Sequence, residues 1–456
     1  MNVRKIVKKI VPSSLFHEIE PYGHWAEAFV AQLKHGFPAR GMNVIGVTGT
    51  DGKTTTSTLI AHMLRESGMK VAIITTISVD YGDGKGEQPN PTRMTTMGAA
   101  SLVKMLKQIK ANNVDWLVLE TTSHALAQHR VWGVPYSVAV FTNLGHEHLD
   151  YHRTFERYRD AKRRLFKQTN ANKKGLRTGI ANADDPSGIY FAKDIANPIT
   201  YGIKKGELKA TSIQSTPSKN TYHVSYRDQS YDITCNLPGS FNIYNSLAAV
   251  GVGITVGLSK EQVEQGIASL QTVEGRMTRI DEGQDFEVIV DYAHTAESFE
   301  KLFKELKPLT KGRLIAVFGS AGRRDEAKRA EQGRVAGKYC DIVIATEEDD
   351  RDIDGLVILD QIAGGAIESG KVKDIDLFLI HKREEAVAAS ISMAKKDDVI
   401  ILLGKGHKKS ILTNGPEAAK YRDELQNDDD PRRVVKRDYD EVQVARESLM
   451  NVVQKT

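Results

Sequence analysis

The stretch Val44-Ile45-Gly46-Val47-Thr48-Gly49-Thr50-Asp51-Gly52-Lys53-Thr54-Thr55-Thr56 constrains this chain more than any other. A short apolar run leads into two glycines, a lysine and a block of threonines, and a helical pattern follows. Strand, glycine-rich turn and helix in that order build a phosphate-binding loop. The glycines let backbone N–H groups face phosphate oxygens, and the helix adds the positive end of its dipole. In such a loop Gly49, Thr50, Asp51, Gly52, Lys53, Thr54 and Thr55 surround a nucleotide. Lys53 reaches the outer phosphates and the Thr54 hydroxyl ligates Mg²⁺. Val47 stands where the common form has its first glycine, so the loop is a subtype. The bland alternative, a glycine-rich turn with a surface lysine, leaves the order of strand, loop and helix unexplained.

At 456 residues the chain is too long for one core, and two or three domains are expected. Lys and Arg number 63 against 59 Asp and Glu, a net charge of +4 that does not argue for a nucleic-acid partner. Cys235 and Cys340 are too far apart to form a metal motif or a disulfide framework, so a reducing compartment is expected. No apolar run is long enough to span a bilayer, and the N-terminus lacks a signal-peptide cleavage site. The expected location is the cytoplasm.

Residues 1–40 read as a short preface. Val3, Ile6, Val7, Ile10 and Val11 fall at helical spacing between basic residues, and Pro12 ends the pattern. Residues 1–11 would either touch an anionic membrane surface weakly or pack on the next domain, the preferred reading. From Val44 strand-like and helix-like runs alternate. The strands are Val44–Val47, Val71–Thr75, Trp116–Glu120, Ser137–Thr142 and Thr178–Ala181, with helices around Met97–Asn112 and Phe155–Gln168. Such alternation implies a mostly parallel sheet covered by helices, with ligands beyond the carboxyl ends of its strands. Residues 200–236 look like antiparallel strands, and Asn242–Val256 reads as a helix. A second α/β series begins near Arg276, with strands at Val288–Val290, Leu314–Phe318, Ile342–Ala345, Leu377–Ile380 and Val399–Leu403. The run Asp428–Arg433 reads as a solvated loop before a last helix, Glu441–Val452.

Two further clusters stand at strand ends. Glu120-Thr121-Thr122-Ser123-His124 puts a carboxylate after an apolar strand, which suits a Mg²⁺ ligand or, more simply, a helix cap. The segment from Thr142 to His152 carries His146, Glu147, His148, Asp150 and His152. That density suits a metal–nucleotide role, with a zinc site as the rival reading.

These residues together resemble the Mur ligases, the ATP-dependent amino-acid ligases of peptidoglycan precursor synthesis. Within that family the chain is most similar to the UDP-N-acetylmuramoyl-tripeptide synthetases. The resemblance covers about residues 41–456, with several separated motifs in order. It implies an α/β fold: a short N-terminal segment (1–40), a central P-loop ATP-binding domain with a mostly parallel sheet (41–274), and a Rossmann-like C-terminal ligase domain (275–456). By the same resemblance Glu120 and His148 join Thr54 as Mg²⁺ ligands. Lys162 falls at the lysine that the family carbamylates. Thr95, Thr96, Ser123, Gln128 and Arg130 fall at positions that hold the acyl substrate. Asn242 and Asn245 belong to the asparagine motif near the nucleotide, Arg276 to the γ-phosphate, and Asp291 and His294 to the nucleoside. Arg324, Arg351, Gly404 and Lys408 also fall at substrate-binding positions, Arg351 at the arginine that selects the incoming amino acid.

The chain departs from the family pattern in three places. Only some forty residues precede the loop. The family's Asp-Asn-Pro-Arg segment reads Glu348-Asp349-Asp350-Arg351, and Lys408 stands where a glutamate is usual. The expected activity is ADP-forming amide synthesis through an acyl phosphate, with Lys53, Lys162 and Arg276 as catalytic residues. ATP and Mg²⁺ are the cofactors, and the acceptor is a UDP-N-acetylmuramoyl-L-Ala-D-Glu type precursor receiving diaminopimelate or lysine. The expected partners are these small molecules, and the expected state is a monomer. The alternatives are a ligase of the same fold with another acceptor (a lipid-linked glycan peptide, a folate or a polypeptide) and a P-loop ATPase that ligates nothing.

Overall fold

The computed structural model describes residues 13–92, 94–145, 147–216, 218–323, 326–415 and 434–453, with side chains from residue 23 onward except those of Leu149, Asp150 and Val453. The basic segment 1–11, the run Asp428–Arg433, and His146 and Arg324 lie outside the described residues. The chain divides into two compact units. The first holds the described residues up to Ser215 with Asn220–Asn236 and Ser240–Gln271. The second runs from Thr272, and the short stretches between those segments group with it.

Among the described residues the first unit opens with helix α1 (Ser13–His35) and then alternates: β1 (Val44–Thr48), α2 (Lys53–Glu66), β2 (Val71–Ile74), β3 (Ser78–Asp80), β4 (Gln88–Pro89), α3 (Ala99–Ala111), β5 (Trp116–Glu120), α4 (Ser123–Ala127) and β6 (Tyr136–Phe141). It continues through α5 (Leu149–His152), α6 (Phe155–Ala171), β7 (Thr178–Asn182), α7 (Gly188–Ala192), β8 (Asn197–Gly202), β9 (Leu208–Ser215), β10 (Asn220–Tyr226), β11 (Gln229–Cys235), α8 (Ser240–Val256) and α9 (Lys260–Ala268). One sheet carries all eleven strands in the order β11-β10-β9-β8-β7-β6-β1-β5-β2-β3-β4. From β2 to β8 every pairing is parallel. Strand β1 lies between β5 and β6 and is buried along its whole length, as the near-continuous apolar sequence of a doubly covered strand requires. Residues 200–236 are antiparallel in β9–β11, while β8 meets β9 in parallel.

Register places the chemistry. Val47 of β1 lies opposite Glu120 of β5, and Leu119 of β5 lies opposite Ile74 of β2. The residues that follow these strands therefore emerge side by side at one edge of the sheet. The core beneath them includes Val44, Leu117, Leu119, Tyr136, Phe141 and Phe166. Each such side chain contributes about 1.5–3 kcal/mol through burial.

The second unit has β12 (Thr278–Ile280), β13 (Glu287–Asp291), α10 (Ala296–Leu306), β14 (Leu314–Phe318), α11 (Ala327–Tyr339), β15 (Ile342–Ala345), α12 (Gly355–Glu368), β16 (Leu377–Leu379), α13 (Arg383–Ser392) and β17 (Val399–Leu403). A hairpin, β18 (Ser410–Asn414) with β19 (Val434–Asp438), and α14 (Glu441–Val453) end it. Its main sheet runs β12-β13-β17-β14-β15-β16 and is parallel except for β12. Val288, Val290, Ile315, Ile344, Ile400 and Leu402 form its core.

Candidate active site

In the first unit the phosphate loop joins β1 to α2. Gly52 precedes α2 with φ 77°, and a Cβ there would lie 2.3 Å from Oδ1 of Asn245. Both the left-handed backbone and the close approach of α8 require glycine at that position. The neighbouring strand end pins the loop. Thr50 N–H donates to the Asn143 carbonyl at 2.8 Å, Asp51 N–H to Asn143 Oδ1 at 2.9 Å, and the Thr142 hydroxyl to the Asp51 carbonyl at 2.6 Å. Asn182 donates to the Thr142 carbonyl at 2.8 Å from the end of β7. Asn245 accepts from the Thr56 hydroxyl at 3.2 Å and donates to Asn242 at 2.8 Å, so both asparagines stand against the start of α2.

Lys53 donates to the Thr50 carbonyl at 2.7 Å, and Thr55 is buried in the first turn of α2. The Thr54 hydroxyl lies 3.1 and 3.2 Å from the two oxygens of Glu120. Glu120 is 1% exposed and also accepts from the N–H and hydroxyl of Thr76, at 2.8 and 3.0 Å. Hard oxygens this close together suit Mg²⁺. The Thr76 hydroxyl, its proton given to Glu120, lies 2.9 Å from the Thr95 hydroxyl and can accept from it. Thr96 bridges the Glu120 carbonyl and the Thr122 N–H, each at 3.0 Å, and its own carbonyl accepts from Arg130 at 3.0 Å. Gln128 is buried, and among the described residues its Oε1 has no hydrogen-bond partner.

Thr154 caps α6 by accepting from Arg157 N–H at 3.2 Å, which orients the helix that carries Tyr158 and Lys162 one turn apart on its buried face. Tyr158 shares a hydrogen bond of 3.1 Å with the Thr50 hydroxyl, and the Lys162 ammonium lies 4.5 Å from the Tyr158 ring centroid. Lys162 is 2% exposed and donates to the Gly49 carbonyl at 2.5 Å. Burial, followed by repulsion from Lys53, holds its pKa well below the usual lysine value. His148 joins this group through ring contacts with His124 at 4.7 Å and Tyr158 at 6.0 Å. Ser123 is bonded to His152 at 3.0 Å.

The second unit carries its own polar cluster at the carboxyl ends of β13, β15 and β17. The Arg276 guanidinium lies 4.7 Å from the centroid of the Tyr292 ring, which also meets the rings of His294 and His407 at a tilt. Asp291 accepts from the N–H groups of Met277 and Ala293; burial raises its pKa against the pull of Arg276. Burial also lowers His294 and takes His407 down to about 3, with Arg276, Lys408 and Lys409 adding to the effect on His407. Lys405 is fully buried on Asp349 at 2.8 Å. Lys408 lies 3.4 Å from Asp349 and 3.9 Å from Glu348, whose side chain faces Gly404. Arg351 is buried, with φ 56°, and donates to the Gly322 carbonyl at 2.6 Å.

Sequence reading missed Thr76, Tyr158 and Lys405. Thr76 belongs to no motif; it meets Glu120 only because β2 and β5 pair. Tyr158 stands one helical turn before Lys162, a spacing that was available as a signal.

Residues 47–253 match the Mur ligase middle domain, and residues 275–406 match the Mur ligase glutamate ligase domain. A UDP-N-acetylmuramyl-tripeptide synthetase of Roseiflexus sp. is 39% identical over 404 residues, which cover 86% of this chain and 79% of that protein. A UDP-N-acetylmuramoyl-L-alanyl-D-glutamate--2,6-diaminopimelate ligase of Clostridium acetobutylicum is 36% identical over 89% of this chain and 81% of its own length. A solved structure of a ligase with that same name superposes with a TM-score of 0.65 at 26% identity, over 95% of this chain and 83% of that one. A folylpolyglutamate synthase of Mycobacterium tuberculosis superposes with a TM-score of 0.66 at 16% identity, over 83% of this chain and 92% of that one, a likeness of fold alone. With a phosphate loop backed by a buried carboxylate and two matched domains in order, the chain belongs to the Mur ligase family of ATP-dependent, ADP-forming ligases.

Proposed function

We propose that the protein joins diaminopimelate or lysine to the free carboxylate of a UDP-N-acetylmuramoyl-L-Ala-D-Glu type precursor in peptidoglycan synthesis. The observation that carries this reading is the placement of Thr54, Glu120 and a desolvated Lys162 around one phosphate loop. A carboxylate oxygen of the acceptor attacks the γ-phosphorus of ATP, the bond to ADP breaks, and an acyl phosphate results. Lys53 and Arg276 supply cations for the charge that develops on the transferred phosphoryl group. The amino nitrogen of the incoming amino acid then attacks the acyl carbon, phosphate leaves with the bonding electrons, and the nitrogen loses its proton.

Mg²⁺, when bound, neutralises phosphate charge, and Thr54, Glu120, His148 and Lys162 are the residues that would hold it. Lys162 takes part as a carbamate. Its neutral amine adds CO₂, an N–C bond forms, the nitrogen loses a proton, and the neutral amine becomes an anionic oxygen donor. Thr95, Thr96, Ser123, Gln128 and Arg130 hold the acceptor, with the free Oε1 of Gln128 open to a donor on it. Asn242, Asn245, Asp291 and His294 serve the nucleotide. Arg324, Arg351, Gly404 and Lys408 serve the amino acid.

The deciding experiment supplies ATP, acceptor and hydroxylamine without amino acid. A hydroxamate of the acceptor with ADP and phosphate is the expected product. AMP and pyrophosphate would replace the acyl phosphate with an adenylate, and acceptor-independent ADP release would favour an ATPase that ligates nothing.

A further inference from the structure

A second constellation lies apart from the phosphate loop, within the second unit. Glu347 follows β15 and His381 follows β16, and backbone pairing locks the two strand ends together: Glu347 N–H donates to the His381 carbonyl at 3.0 Å. Asp350 lies one short turn further along the loop from β15. Among the described residues, donor atoms of Glu347, Asp350 and His381 all lie within 4.8 Å of one another. His381 Nε2 is 2.7 Å from Asp350 Oδ2.

Two observations show that this group is more than a solvated acidic corner. Asp350 is 5% exposed, yet among the described residues its Oδ1 has no hydrogen-bond partner. A buried carboxylate oxygen left without a donor is costly unless something occupies it. The surroundings are also rich in carboxylates. Arg383 is committed to Glu441, at 2.8 and 3.0 Å, and both side chains are fully buried. Arg437 bridges Glu347, at 2.5 Å, and Glu384. Glu347 and Glu384 thus share the one guanidinium of Arg437, while that of Arg383 is taken by Glu441. Close approach is built into the backbone as well. A Cβ on Gly355, the first residue of α12, would lie 2.0 Å from His381 Nε2 and 2.4 Å from Asp350 Oδ2.

We propose that Glu347, Asp350 and His381 form a binding site for a transition-metal dication of the zinc class, tying the ends of β15 and β16 to the start of α12. An imidazole nitrogen with two carboxylate oxygens suits zinc and its neighbours rather than Mg²⁺ or Ca²⁺, which prefer oxygen alone. Donors around tetrahedral zinc stand roughly 3.4 Å apart. The three side chains therefore need to close by about an ångström, with His381 exchanging its Asp350 partner for the metal. His381 is 45% exposed in its side chain, which gives an ion a way in from solvent and a fourth position for water.

The test uses the full chain, freed of metal with a chelator, and Zn²⁺ as the probe. Equilibrium dialysis with metal counting is run on wild type, His381→Gln and Asp350→Asn. One zinc equivalent per chain is expected to weaken at least about tenfold in each variant, with Mg²⁺ failing to compete for it. Equal stoichiometry and affinity in all three proteins would overturn the site. NMR of the imidazole resonances gives a readout that does not need Asp350→Asn to fold. Zn²⁺ should shift the ring signals that disappear in His381→Gln; signals that stay in place at saturating zinc would likewise refute the proposal.

Discussion

Lys162 places an ammonium out of reach of water and within the field of a second lysine, and the cost of doing so depends on pH. In the unfolded chain the amine keeps its ordinary value of 10.5, while burial and Lys53 lower it in the folded protein. Between the two values the unfolded chain binds more protons, so stability rises with pH through that window and the penalty shrinks towards pH 10.5. In CO₂-free buffer Lys162→Met should therefore be more stable than wild type near neutral pH, with the gain fading as the solution is made alkaline. Parallel pH curves from denaturant titrations would mean that the folded amine stays charged. The same variant should lose activity by about 10²–10³-fold, short carboxylic acids should restore part of it, and Lys162→Arg should fail as well; an active Lys162→Arg enzyme would exclude the carbamate. Arg351 offers a second test at this scale. If it clamps a distal carboxylate, Arg351→Ala costs about 2–5 kcal/mol of transition-state binding for diaminopimelate and little for lysine. Its bond to the Gly322 carbonyl makes the rival outcome plain: an equal loss for both amino acids, with lower stability, assigns Arg351 to the loop alone.

The loop and its neighbours act as a unit in which the backbone conformation of one glycine sets the approach of two helices. Gly52→Ala meets both a left-handed φ and the amide of Asn245, so Asn245 has to retreat from the start of α2. The expected result is a loss of about 1–3 kcal/mol in stability and weaker nucleotide binding; unchanged binding would show that α8 does not govern the loop. At this level the sequence was readable wherever one strand carries its own signal. Most parallel strands are apolar runs ending in polar clusters, which the sequence places to within a residue or two; β8, which begins with the exposed Asn197 and Pro198, lacks such a run and is missed. Short pieces such as β3 and β4 are two or three residues long and carry no period. Helix α1 was unreadable for a different reason. Pro21 and Gly23 are poor helix formers within an unbroken helix, and its aromatic residues Trp25 and Phe29 meet Trp132 more than a hundred residues away. In the site, residues on one contiguous motif were legible, whereas Thr76 depended on which strands become neighbours.

For the whole molecule, nucleotide binding and folding are linked. A ligand that binds only the folded protein stabilises it by about 2.7 kcal/mol at a hundred times its dissociation constant. MgATP should therefore raise the thermal midpoint of wild type, and Lys53→Ala should abolish most of that rise while folding normally without nucleotide. A variant that shifts as far as wild type would remove Lys53 from the phosphate contacts. The packing of α1 has an optical consequence. The chain has three tryptophans, and two of them, Trp25 and Trp132, lie edge to face at 6.0 Å with Phe29 and Phe37 around Trp132. The third, Trp116, is enclosed in the sheet. Release of α1 would part Trp25, already 41% exposed, from Trp132 and hydrate both further while Trp116 stays enclosed, so the emission maximum of the unlabelled protein is a gauge of whether α1 is docked.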